Sequence, residues 1–113
     1  MIAVLGMQLA AAPAAAAPAA VPSLRIADTS PLVVQGRHFR AGERVRVTLV
    51  APALELRLPR RVTASPTGRF TVRFDRPRPG PCLGFTVTAV GSGGSRAVVK
   101  RPPLPACMPA SSP

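Results

Sequence analysis

Between Ser23 and Arg101, apolar and polar residues alternate one for one in short runs, most of them closed by proline or glycine. A period of two sets every second side chain on the same face of an extended chain, so such runs are half-buried strands. The clearest is Arg44 to Leu49, where Val45, Val47 and Leu49 point one way and Arg44, Arg46 and Thr48 the other. Leu24 and Ile26 flank Arg25 in a first strand, and Leu32 to Gly36 forms a second, opened by Ser30-Pro31. Leu54, Leu56 and Leu58 alternate up to Pro59, which is expected to stop that run. Arg61 to Ala64 is expected to pair with Phe70 to Phe74 across a turn at Ser65-Pro66-Thr67-Gly68. Phe85 to Ala89 and Arg96 to Arg101 follow, joined by the glycine-rich stretch Gly91 to Ser95.

Helices have no support, because prolines interrupt too often and Val and Thr crowd the periodic runs. About seven or eight short strands, with turn signals every eight to twelve residues, predict an all-β fold. The expected architecture is an immunoglobulin-like antiparallel β-sandwich. With Trp and Tyr absent and only 4 Phe, its core must come mainly from Val, Leu, Ile and those Phe. That suits a thin two-layer sandwich better than a deep catalytic cleft.

A chain of 113 residues has room for one domain. The apolar run Met1 to Leu9, followed by alanines broken by Pro13, Pro18 and Pro22, predicts a signal peptide over residues 1–19. Small residues place the cleavage near Ala16 to Ala19, although no Lys or Arg precedes the run. A membrane anchor needs about twenty strongly apolar residues, so the mature chain is expected to have no transmembrane span. The sandwich then occupies residues 20–101, and 102–113 form a proline-rich tail tied back by Cys107. The expected location is extracellular or in the cell envelope.

The 2 cysteines are too few for a structural zinc site, and the lone His38 does not complete one. In an exported chain Cys82 and Cys107 most simply form a disulfide. Closing a loop of that length stabilises a small fold by roughly 3.5 kcal/mol on the chain-entropy model. No Cys-x-x-Cys spacing suggests redox work.

Catalytic groups are scarce, and no enzymatic activity, cofactor or metal is expected. The carboxylates are Asp28, Glu43, Glu55 and Asp75. The first two and the last fall at strand ends or turns, Glu55 alternates outward, and none suggests a paired acid and base. No Gly-x-Ser-x-Gly elbow accompanies His38. Gly91-Ser92-Gly93-Gly94 joins two strands, whereas phosphate cradles open onto a helix amino terminus.

The net charge of +11 begins only at Arg25, and Lys100 is the sole lysine. A GC-rich genome produces an arginine bias of this kind by codon composition alone. Two arginine pairs nevertheless share outward positions, Arg44 with Arg46 and Arg69 with Arg73, and make a candidate basic surface strip. Nucleic acid is a poor partner for it, because the core pattern claims the phenylalanines that base stacking would need. Outward arginines also discourage sheets from pairing edge to edge.

Two stretches carry a family resemblance. Val34-Gln35-Gly36-Arg37-His38-Phe39-Arg40-Ala41-Gly42-Glu43-Arg44-Val45-Arg46-Val47 resembles the V-x-G-x-x-F-x-x-G-x-x-V-x-V segment of bacterial immunoglobulin-like domains. Val62 to Val72 resembles their V-x-A-D-x-x-G-x-F-x-V hairpin, with Ser65 in place of the usual Asp. Such segments occur in exported actinobacterial proteins and in IPT/TIG-type modules. A looser likeness reaches the neocarzinostatin-type apoproteins, which carry two disulfides where this chain has one cysteine pair. The resemblance covers most of Leu24 to Lys100 and implies fold more than function. The expected function is a non-catalytic secreted or cell-envelope module, a monomer, that contacts an anionic cell-wall polymer or another extracellular protein; the alternative is a small-molecule carrier of the chromoprotein-apoprotein type.

Overall fold

Alternation becomes structure in a seven-stranded antiparallel sandwich, seen in a computed structural model that describes residues 20–107. The expected signal peptide at 1–19 lies outside the described residues, as do positions 108–113 of the tail. The strands are β1 (Ser23–Thr29), β2 (Leu32–Arg37), β3 (Arg44–Ala51), β4 (Leu56–Thr63), β5 (Phe70–Phe74), β6 (Phe85–Gly91) and β7 (Arg96–Arg101). One sheet has the order β1-β2-β5 and the other β4-β3-β6-β7. Sequence neighbours β2 and β3 lie in different sheets, as do β4 and β5. This crossing is the immunoglobulin-like connectivity, with the fourth strand placed beside the third. Among the described residues no helix is long and apolar enough to cross a membrane.

The inward positions fill the space between the sheets. Leu32 and Val34 from β2 and Val72 and Phe74 from β5 face Val45, Val47 and Leu49 from β3 and Val87 and Ala89 from β6. Edge strands contribute less: Leu24, Ile26, Leu56, Leu58 and Val62 are half-buried. On β1 the register shifts between Ile26 and Asp28, leaving Ala27 as the extra residue of a bulge. Bulged edges discourage further strand pairing.

The two stretches that carry the family resemblance interlock. Gly36 lies beneath the ring of Phe70, which meets the ring of Phe39 edge-on at 4.9 Å. The Phe39 N–H donates to the Gly68 carbonyl at 3.1 Å, and Gly68 has φ +77° with no room for a side chain beside the Phe39 carbonyl. A methyl at position 36 would overlap three carbons of the Phe70 ring. Gly36→Ala is therefore expected to lower stability by about 2 kcal/mol, seen as an earlier urea midpoint with unchanged slope.

Three expectations are corrected. Pro59 does not end a strand: β4 runs through it, with Pro59 opposite Thr48. As an edge strand, β4 tolerates a residue without an N–H. Leu54 belongs instead to a 3-10 turn at Pro52–Leu54, and Glu55 follows it in a left-handed conformation, φ 50°, not on a strand. Arg61 to Ala64 does not pair with Phe70 to Phe74. Thr63 faces Arg44 on β3, while Phe70 faces Gly36 on β2. The Ser65–Gly68 turn closes on itself, Gly68 N–H to Ser65 carbonyl at 2.8 Å, and then carries the chain from one sheet to the other.

Cys82 and Cys107 form a disulfide with their Cα atoms 5.3 Å apart. It fastens a 3-10 turn at Pro105–Cys107 to the segment before β6, beside a Leu104 N–H to Pro81 carbonyl bond of 3.1 Å.

Candidate functional site

Strand register turns the outward residues of β4, β3, β6 and β7 into a grid. One row across the strands reads Arg61, Arg46, Val90, Arg96. The next reads Pro59, Thr48, Thr88, Val98, and the third Arg57, Val50, Thr86, Lys100. Arg44 stands beyond the first row, opposite Thr63. Arg44, Arg46, Arg57, Arg61, Arg96 and Lys100 are all exposed, and no carboxylate occupies an outward position of this sheet. The face is a shallow trough of about 860 Å³, floored by Thr48, Val50, Thr88 and Val90.

The anticipated strip of Arg44, Arg46, Arg69 and Arg73 does not form as one surface. Arg44 and Arg46 lie on the four-stranded sheet, whereas Arg69 and Arg73 belong to the outer side of the β1-β2-β5 sheet. There Arg73 pairs with Asp75 at 3.2 Å, and Arg25 donates to Gln35 at 2.6 Å. Each strand's parity was readable, but not which strands share a sheet. A break at Pro59 would separate Arg57 from Arg61, but β4 runs through it and puts both on the outer face. Their alternation with Leu56, Leu58 and Val62 is the signal that places them.

Glu43 is the feature that sequence reasoning missed. It precedes β3 and is 6 % exposed, the only charged residue among the buried side chains described. Its Oε1 accepts the Arg40 N–H at 3.1 Å, and its Oε2 accepts the N–H groups of Gly93 at 2.6 Å and Ser95 at 3.3 Å. Burial acts to raise its pKa. The Ser95 side chain and the backbone N–H groups of Arg40, Ser95 and Gly93 outweigh that, and hold it below the ordinary carboxylate range. The glycine-rich turn thus cradles an anion, and the anion is the protein's own. Gly91 and Gly93 leave the space that the carboxylate fills. Gly42, at φ +71°, lets the chain turn back so that Arg40 and Glu43 bond reciprocally.

The same contact fixes the end of the trough. Ser92 bonds to β3 in both directions, its N–H to the Arg44 carbonyl at 2.8 Å and its Oγ accepting the Arg44 N–H at 3.3 Å. Arg44 and Arg96 are thereby held at the ends of strands tied through one turn.

Elsewhere, His38 is exposed in a left-handed conformation, φ 67°. Arg60, on the inward side of β4, lays its guanidinium 5.5 Å from the centre of the Phe74 ring. A second cavity of about 320 Å³ lies at the disulfide end, among Pro79, Leu83, Phe85, Arg101 and Leu104. Comparison with protein-family models, with curated proteins and with solved structures finds no match.

Proposed function

We propose that this chain is a non-catalytic, exported binding module of the bacterial immunoglobulin-like kind, held at the cell envelope by an anionic polymer. The polymer docks on the outer face of the four-stranded sheet. The observation that carries this reading is unopposed charge. Six basic residues project from that face with no acid among them, whereas on the other sheet, which carries Arg25, Arg37, Arg69 and Arg73, Arg73 is paired with Asp75. Compositional drift toward arginine would scatter basic residues over both faces without regard to acids. The amino-terminal apolar run and the disulfide support export.

Long-range attraction from such a face is screened by salt. Affinity for heparin, used as a polyanion probe, is expected to fall with NaCl with a log–log slope of about −4, given roughly 0.7 per contact for a single-stranded polyanion. Replacing Arg57 and Lys100 by Thr should flatten the slope, while Arg37→Thr on the other sheet leaves it unchanged. Salt-insensitive binding, or equal loss from Arg37→Thr, sinks the reading.

The small-molecule carrier remains as a second reading, because Val90 and Val98, 42 % and 50 % exposed, offer an apolar surface on the same face. Native mass spectrometry of the protein purified from its source separates the two, since a carrier arrives with a bound mass.

A further inference from the structure

We infer that Arg44, Arg46, Arg61 and Arg96 form a discrete site for tetrahedral oxyanions, the phosphate or sulfate esters of the docked polymer. This rests on the reading of the face as a polyanion surface. It differs in holding that the charge is concentrated rather than spread.

Register places Arg46 directly opposite Arg61 on neighbouring strands. Like charges so placed repel each other and weaken a sheet. Arg44 is two residues along the same strand, about 7 Å away, and Arg96 is two strands over across Val90, about 10 Å away. All four line the same end of the trough. Arg57 and Lys100 stand apart from them, roughly 13 Å further along the strands. The uncharged row of Pro59, Thr48, Thr88 and Val98 separates the two groups.

Among the described residues no side chain pairs with any of the four guanidinium groups. Glu43 lies on the opposite side of the chain from Arg44, and its oxygens are taken by Arg40, Gly93 and Ser95. Ser92 lines the same end of the trough and adds a hydroxyl donor while its oxygen accepts from Arg44.

The chemistry of the donors selects the anion. A planar carboxylate is satisfied by one or two guanidinium forks, whereas a phosphate or sulfate presents oxygens in three dimensions and accepts from several. Stacking cannot share the work: Trp and Tyr are absent, and Phe39, Phe70, Phe74 and Phe85 are all buried. Recognition therefore falls on the acid groups of the polymer, not on rings between them. A site of this kind is repulsive when empty, and occupancy relieves the repulsion. Stability and binding are opposed in it.

The test uses the full mature chain and three polymers at matched charge: inorganic polyphosphate, heparin and polygalacturonate. Arg46→Thr and Arg61→Thr are each expected to weaken polyphosphate or heparin binding by about tenfold, the loss of one charge-assisted contact. The same variants should melt about 2 to 4 °C higher in low salt, with the gain vanishing at high salt. Arg57→Thr and Lys100→Thr should cost less than about threefold, and polygalacturonate should bind about tenfold more weakly than the preferred ester polymer. Preference for polyphosphate over heparin, or the reverse, identifies the ester. Equal losses from all these variants together with equal affinity for polygalacturonate overturn the discrete site and leave a uniform polyanion surface standing. Failure of all three polymers to bind overturns both.

Discussion

Glu43→Gln is expected to lower the unfolding free energy by about 3 kcal/mol at neutral pH, a loss that urea denaturation would read. The amide keeps one acceptor oxygen but turns two donors toward a turn that itself offers only donors to that position. At least one N–H of Gly93, Ser95 or Arg40 is left facing another donor in a buried site. Hydrogen bonds to a charged acceptor are worth about 1.5–3 kcal/mol each, and an orphaned buried donor costs a similar amount. The pH dependence carries its own sign. Because the folded-state pKa lies below the ordinary value, this stabilisation is complete above the unfolded pKa of about 4.3. It is lost as pH falls through the folded value. The gap between the native protein and the variant should therefore be constant from about pH 5 upward and shrink below about pH 4. A gap that persists undiminished in acid would mean that packing, not ionisation, makes the difference.

Reduction of the disulfide, or its replacement by Cys82→Ser with Cys107→Ser, is expected to cost about 3.5 kcal/mol at 25 °C on the chain-entropy model. The cysteines are separated by 25 residues, and the loop they close contains all of β6 and β7. The staple therefore limits the unfolded freedom of half the four-stranded sheet. In a sandwich of this size such a loss is a large share of total stability. A melting comparison with and without reductant reads it directly, and an unchanged transition would show that the tail is fastened by its other contacts. The reduced protein should still bind polyanion wherever it remains folded, because strand pairing, not the bridge, sets the positions of the basic residues.

Six of the seven strands were legible from alternation, and β4 only up to Pro59. In β2, β3, β5, β6 and β7 the inward residues are Val, Leu, Phe, Ala or Gly, and the polar ones stand outside. What failed was non-local. The Ser65-Pro66-Thr67-Gly68 turn looks the same whether its flanking strands pair or part. They part because Ala64 is committed to Glu43 and Phe70 to Gly36. The basic face failed for the same reason: Arg69 and Arg73 had the right parity in the wrong sheet. Glu43 offered no local signal at all. It stands between Gly42 and Arg44 like any surface acid, and its decisive partner Gly93 is 50 residues away.

The carboxylate lodged in the β6–β7 turn also means that positions 43, 91 and 93 do not vary as independent letters. Side chains at 91 and 93 are excluded by Glu43 itself, since what they would strike is its carboxylate. A chain that loses the acid loses the reason for both glycines, and a chain that gains a side chain at 91 can no longer seat the acid. Such a triad drifts together or not at all. In a distant relative, a Glu before the third strand and Gly-x-Gly at the last hairpin would mark common descent more surely than any single arginine on the exposed face.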